Sequence, residues 1–231
     1  MKSRNDLRFD RFGVHVLDPS DTFGFKTSYI TYLHEAALNS LGPKGPGLAL
    51  DIGCGSGRIS HALRALDWEV VGVEPSIHLL TQSDIRQTGS HFVCGGLPLL
   101  PVPYHSVQLA CVWSVLRSLK LMDKLHLAET LVRYVDKENG TLLVLENIQP
   151  GNSDFIEEEQ LVNFFSERGM SLVSRHTIRR GRWIGMPFIR YGLVPARLLR
   201  ALARLELRYR VWSSSVSRRT YTNVLFTFKY L

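Results

Sequence analysis

Between Gly47 and Ile148 the chain alternates short apolar runs with longer stretches in which apolar residues recur every three or four positions. The short runs, at Leu48–Ile52, Glu69–Val73, His91–Cys94, Val107–Trp113 and Thr141–Glu146, have the length and near-continuous hydrophobicity of strands covered on both faces. The stretches between them, Arg58–Leu66, Ile77–Arg86 and Lys120–Tyr134, carry the helical period, and Gly140 follows the last as a stop signal. Strand and helix in regular alternation predict an α/β fold built on a doubly wound parallel sheet. Upstream, Tyr29, Leu33, Ala36, Ala37 and Leu41 share one face of a helix predicted over Thr27–Leu41, which the glycines and prolines of 42–47 then break. Downstream, Ser153–Arg168 reads as a helix whose Glu157, Glu158 and Glu159 suit its positive N-terminal end.

The junction of the first strand and its helix carries the candidate chemistry. In Leu48–Arg58, glycines at 53, 55 and 57 let backbone approach a ligand more closely than side chains permit, beside the N–H groups of a helix start. A dinucleotide fingerprint needs a small residue where Arg58 stands, and a P-loop needs a Lys-Ser or Lys-Thr that is missing. What remains is Asp51 at the strand end, the glycine turn, and Glu74 closing the next strand, where a carboxylate can take both hydroxyls of a ribose.

These residues resemble the class I S-adenosylmethionine-dependent methyltransferases. Asp51-Ile52-Gly53-Cys54-Gly55-Ser56-Gly57 matches the family's first motif, Glu74 its ribose-binding acid, and Leu97–Pro103 with Ser106–Ala110 the segment joining the third and fourth strands. The resemblance implies S-adenosyl-L-methionine as cofactor, held by Asp51, Gly53, Cys54, Gly55, Gly57, Glu74, Pro75 and Leu97, with Trp113 and Ser114 near its methionine end or the acceptor. It also implies a mostly parallel seven-stranded sheet finished by an antiparallel pair, Ser171–Ile178 and Tyr221–Tyr230. One domain is then expected: a cap segment over 1–46, a cofactor-binding core over 47–180, a helical insertion over 181–220 before the last strand at 221–231. In the family the cap shapes the substrate entrance, which makes Tyr29, Tyr32 and His34 candidate pocket residues. One departure stands out: Gly95 and Gly96 occupy the place of an acid that hydrogen-bonds adenine, leaving Leu97 to offer its backbone and side chain.

Composition narrows the partners. With 45% hydrophobic residues in 231, the chain has one sizeable core, while no apolar run reaches the ~18 residues that span a bilayer and Met1–Arg8 holds no export signal, so a cytoplasmic protein is expected. Cys54, Cys94 and Cys111 lie in or beside strands without pairing motifs and read as small buried residues; no metal site is expected. The net charge of +7 is local: Ser171–Thr220 holds twelve arginines, no lysine and a single acid, Glu206, and the remainder is net acidic. Within it, Pro195–Trp212 reads as a basic amphipathic helix. Arg197, Arg200, Arg204 and Arg208 fall in one wedge, with Leu198, Leu202, Leu205, Tyr209 and Trp212 on a different face.

Methyl transfer is an in-line displacement, so alignment and exclusion of water come first and a base serves a hydroxyl acceptor. His105, in the loop before the fourth strand, is the first candidate base, followed by His34 and by Glu146 at the end of the fifth strand. Val112-Trp113-Ser114-Val115 stands where enzymes acting on exocyclic base amines carry an Asn/Asp-Pro-Pro-Tyr motif. A small-molecule or glycan acceptor is therefore the leading expectation, with a lipid-linked acceptor met at an anionic membrane surface through 195–212 as its extension. An RNA methyltransferase using the arginines on phosphates is the alternative, and a cofactor-binding protein without catalysis, suggested by Gly96, is the third reading.

Overall fold

The computed structural model describes residues 21, 23–81, 89–96, 99–119, 121–149, 151, 156–180, 185–209 and 221–230. Seven strands form one sheet, β1 (Leu48–Ile52), β2 (Glu69–Glu74), β3 (His91–Cys94), β4 (Leu109–Trp113), β5 (Thr141–Ile148), β6 (Met170–Arg180) and β7 (Thr222–Tyr230), in the order β3-β2-β1-β4-β5-β7-β6. The first five are parallel to one another where they pair, and β7 enters antiparallel between β5 and β6. The helices are α1 (Phe25–Leu41), α2 (Arg58–Arg64), α3 (Ile77–Leu80), α4 (Leu121–Tyr134), α5 (Glu158–Ser166), α6 (Met186–Arg190) and α7 (Ala196–Tyr209).

Strand alternation divides the core in two. From β5, Leu142 and Val144 join a cluster with Leu127, Leu131, Phe165 and Phe226, under α4 and α5. Leu143 and Leu145 join the other, with Tyr29, Leu33, Leu63, Leu199, Ala203 and Leu225, under α1, α2 and α7. Each residue thus buries its side chain according to the period of two along the strand.

Several expectations shift at their edges. The acidic helix begins at Glu158, because Ile156 bridges to Ile148 and Glu157 is extended at φ −77°, ψ 144°. α3 ends at Leu80, and the expected continuation past Thr81 lies outside the described residues, as do Leu97, Trp183 and Trp212. Cys54 and Cys111 are buried as expected, but Cys94 is exposed, its Sγ donating to Pro75 O at 3.7 Å. The structure sets which face of the arginine helix is covered. Leu199, Ala203 and Glu206 are buried, while Leu198 and Leu205 are 47% and 45% exposed. A buried charge decides this, since Glu206 finds Arg179 Nε at 3.4 Å on the sheet and accepts the Tyr29 hydroxyl from α1.

Candidate active site

The C-terminal ends of the parallel strands form one edge of the sheet, and the glycine turn lies on it. Gly53 N–H donates to Val73 O at 2.8 Å, clamping the turn to β2, and φ of +67°, +57° and +79° at Gly53, Gly55 and Gly57 are values that side chains disfavour. A Cβ at Gly53 would stand 2.6 Å from Val115, whereas one at Gly55 would meet nothing within 4 Å. Gly53 is therefore needed for packing, and Gly55 keeps open space in front of the turn.

Glu74 faces this turn at 5% exposure, accepting from Gly55 N–H at 3.0 Å and Ser76 N–H at 2.9 Å, and burial pushes its carboxyl above the usual range. Asp51 lies beneath, 1% exposed, and accepts the Ser60 hydroxyl at 2.6 Å; burial raises it to about 6. It fixes the first turn of α2 under the glycines. Cys54 is buried below the turn, so only its backbone is turned to a ligand, and Pro75 is exposed in the turn after Glu74. Arg58, read from sequence only as an obstacle, reaches to α1 and donates to Thr31 Oγ1 at 2.8 Å.

Beyond β4 the same edge changes character. Trp113 ends β4, and Ser114, at φ +60°, donates its N–H to Leu145 O at 2.8 Å. Register places Trp113 beside Leu145, Asn147 beside Asn223 and Asn223 beside Arg179, on the face that α1 covers. Asn223 Nδ2 donates to Asn147 Oδ1 at 3.1 Å, and His34 meets the Trp113 ring edge-on at 5.7 Å between centroids. Among the described residues His34 Nδ1, Trp113 Nε1 and Asn223 Oδ1 are buried without a well-formed hydrogen bond, His34 and the Asn223 side chain interacting with each other. An unmet polar atom in such a place costs about 1–3 kcal/mol. The three belong to one buried polar cluster at the edge that carries the glycine turn. Burial, with the nearby Arg58 and Arg179 cations, lowers His34 to about 3, so its imidazole is neutral at ordinary pH.

The other two candidate bases lie elsewhere. His105 precedes β4 and thus sits at the opposite edge of the sheet, its N–H on Arg133 O at 3.0 Å and its Nδ1 3.3 Å from Val135 O. The parallel direction of β4 dictates this correction. Glu146 is fully buried, but it alternates with Asn147 onto the face away from His34, and it accepts N–H groups of Arg117 at 3.3 Å and Asn147 at 3.0 Å. It braces the 116–118 turn. Of the cap tyrosines, Tyr29 is buried against Glu206, and Tyr32 lies under Arg200, 4.7 Å from the guanidinium to the ring centroid. Sequence reasoning passed over Asn147, Asn223 and Arg179, though a polar residue closing or opening an apolar strand was the available signal.

A methyltransferase-domain family model matches residues 49–138. Malonyl-[acyl-carrier protein] O-methyltransferase from Pseudescherichia vulneris is 34% identical over 77 residues, 33% of this chain, and the match spans only 30% of that relative. Among solved structures, a S-adenosylmethionine-dependent methyltransferase from Leishmania major superposes with a TM-score of 0.66 at 14% identity, covering 98% of this chain and 82% of its own. Geranyl diphosphate C-methyltransferase from Streptomyces coelicolor A3(2), solved with Mg2+, geranyl diphosphate and S-adenosyl-L-homocysteine, does so at 0.60 and 14% identity, over 85% and 78%. Residues 49–138 match a methyltransferase domain, and the fold of the chain is that of the class I S-adenosylmethionine-dependent methyltransferases. S-adenosylmethionine is the cofactor of that class, and the residues here fit it: Gly55 leaves the cradle open and Glu74 stands across from the turn.

Proposed function

We propose that the protein transfers a methyl group from S-adenosylmethionine to a hydroxyl of a small molecule or of a sugar unit in a glycan. The observation that carries this reading is the buried polar cluster of His34, Trp113 and Asn223 on the edge that holds the glycine turn, where His34 Nδ1, Trp113 Nε1 and Asn223 Oδ1 lack well-formed hydrogen bonds among the described residues. A hydroxyl both donates and accepts, so it can give its proton to His34 Nδ1 while receiving Trp113 Nε1–H. The side-chain amides of Asn147 and Asn223 suit further hydroxyls. When bound, the cofactor supplies a methyl group on a sulfonium, ready for in-line displacement. Gly53–Gly57 and Glu74 would hold it, and Trp113 and Ser114 would border its reactive end. Burial by α1 keeps water from the chamber, and alignment supplies most of the acceleration.

His34 is a weak base, and a weak base suffices here. A hydroxyl that takes the methyl group would become strongly acidic, and Nδ1 would receive its proton. Before that moment the neutral imidazole holds the hydroxyl in line.

The experiment is a screen with methyl-labelled S-adenosylmethionine against sugars, glycans, carboxylic acids and total RNA, with wild type and His34→Gln in parallel. Label in a hydroxyl acceptor, reduced at least tenfold in the variant at unchanged cofactor affinity, is the expected result. Label confined to carboxylic acids or to RNA overturns the acceptor class, and absence of cofactor binding overturns the reading as a whole.

A further inference from the structure

We propose that the corner formed by the start of α1, by α6 and by α7 docks on an anionic lipid bilayer. Its use, bringing the acceptor chamber to a lipid-borne substrate, rests on the function proposed above; the docking itself does not. Phe23, Phe188, Tyr191, Leu193 and Leu198 are 65, 55, 66, 69 and 47% exposed. They come from separate parts of the chain and are tied together locally. Leu193 N–H donates to Phe188 O at 2.9 Å, a Cβ on Gly192 would stand 2.7 Å from the Phe25 ring, and Phe25 lies 6.3 Å from Phe23 between centroids. Single exposed apolar residues are ordinary, but a cluster of large ones marks a contact surface.

Its position and charge name the occupant. α1 runs from this corner to Leu41 and feeds through 42–47 into the start of β1, so the corner lies at the edge where the strands end and the glycine turn begins. On α7, exposed Leu198 adjoins the exposed Arg197 at this corner; Arg200 is drawn to α1 by Glu35 at 3.6 Å and by Tyr32, and exposed Leu205 and Arg204 carry the same outward face along the helix toward Asn39, Ser40 and Leu41 at the far end of α1. Large apolar side chains interleaved with arginine suit a headgroup layer: the former enter it and the guanidinium groups meet lipid phosphates. A nucleic acid would use the arginines and the aromatic rings, but leaves Leu193, Leu198 and Leu205 without a counterpart. No described helix is long and apolar enough to cross a membrane, so the contact proposed is peripheral.

The test is sedimentation of the whole chain with vesicles of mixed phosphatidylglycerol and phosphatidylcholine, and with phosphatidylcholine alone. Recovery with the first and not the second is expected. Arg197→Gln/Arg204→Gln and, separately, Tyr191→Ser/Leu193→Ser should each lower the apparent affinity at least tenfold, with S-adenosylmethionine affinity by calorimetry unchanged as proof of an intact fold. Equal recovery on both vesicles, recovery on neither, or variants that bind like wild type overturn the proposal, as does tighter binding of total RNA than of anionic vesicles. Vesicle binding without any S-adenosylmethionine binding sinks the methyltransferase reading and leaves the docking in place.

Discussion

The two halves of the ligand edge are made of different material. Around β1 and β2 the site is backbone: three glycines at positive φ, their N–H groups, and one carboxylate facing them across two adjacent strands. Around β4, β5, β7 and β6 it is side chain: an imidazole from α1, an indole from β4, amides from β5 and β7, and behind them the Arg179–Glu206 pair with Tyr29. Backbone recognition requires a particular sequence at one place. Side-chain recognition is assembled from distant places, and can vary without disturbing the first half.

The difference is open to breakage, most drastically at Gly55. Gly55→Val fills the open space before the turn and forces a β-branched residue to φ +57°, so calorimetry should show cofactor binding reduced more than a hundredfold while circular dichroism keeps its helical signal. Retained binding would mean that the turn is not the cradle. Next in size is Glu206→Ala, which strands Arg179 at 6% exposure; denaturant unfolding should report a loss of about 3–5 kcal/mol with cofactor affinity per folded molecule unchanged. If affinity falls as well, the halves are coupled. Glu74→Ala should weaken cofactor binding by about 1.5 kcal/mol or more, the loss of a charged hydrogen-bond partner, without touching binding of a cofactor-independent acceptor.

The smallest effect is on pH dependence. His34 has its folded value lowered to about 3, so between the unfolded imidazole's ordinary value and 3 the unfolded chain takes up a proton that the folded chain refuses. Its contribution to stability is therefore full above that ordinary value and is lost as pH falls toward 3. Asp51, raised to about 6 by burial, works the other way: its contribution is full below the ordinary carboxylate range and is lost as pH rises through 6. His34→Gln should flatten the acid limb of the melting temperature against pH and leave the limb near 6; an unchanged acid limb would mean that the imidazole is not held neutral.

The same contrast explains what the sequence disclosed. The five parallel strands, the turn and Glu74 were legible because periodicity and glycine spacing are local. His34 was nameable only as a histidine in a cap, since nothing near it in the chain announces Trp113 or Asn223. On α7 the arginine wedge was legible, but not that the helix buries Glu206 for Arg179, a partner distant in the chain. His105 illustrates a different failure: a residue beside a strand was taken as near the site, when strand direction places the start and the end of β4 on opposite edges.

The position of β7 between β5 and β6 also governs the order in which the molecule can be completed. Among the described residues β6 has no other neighbour in the sheet, and on a ribosome it emerges before the strand that pairs with it, with the insertion over 181–220 still to be made in between. Until β7 arrives, β6 is an uncovered edge, a long-range pairing of the kind that closes slowly and invites association in the meantime. The polar cluster with Asn223 of β7 beside Arg179 of β6 therefore depends on this late pairing, whereas the glycine turn and Glu74 lie on strands that are complete earlier in the chain.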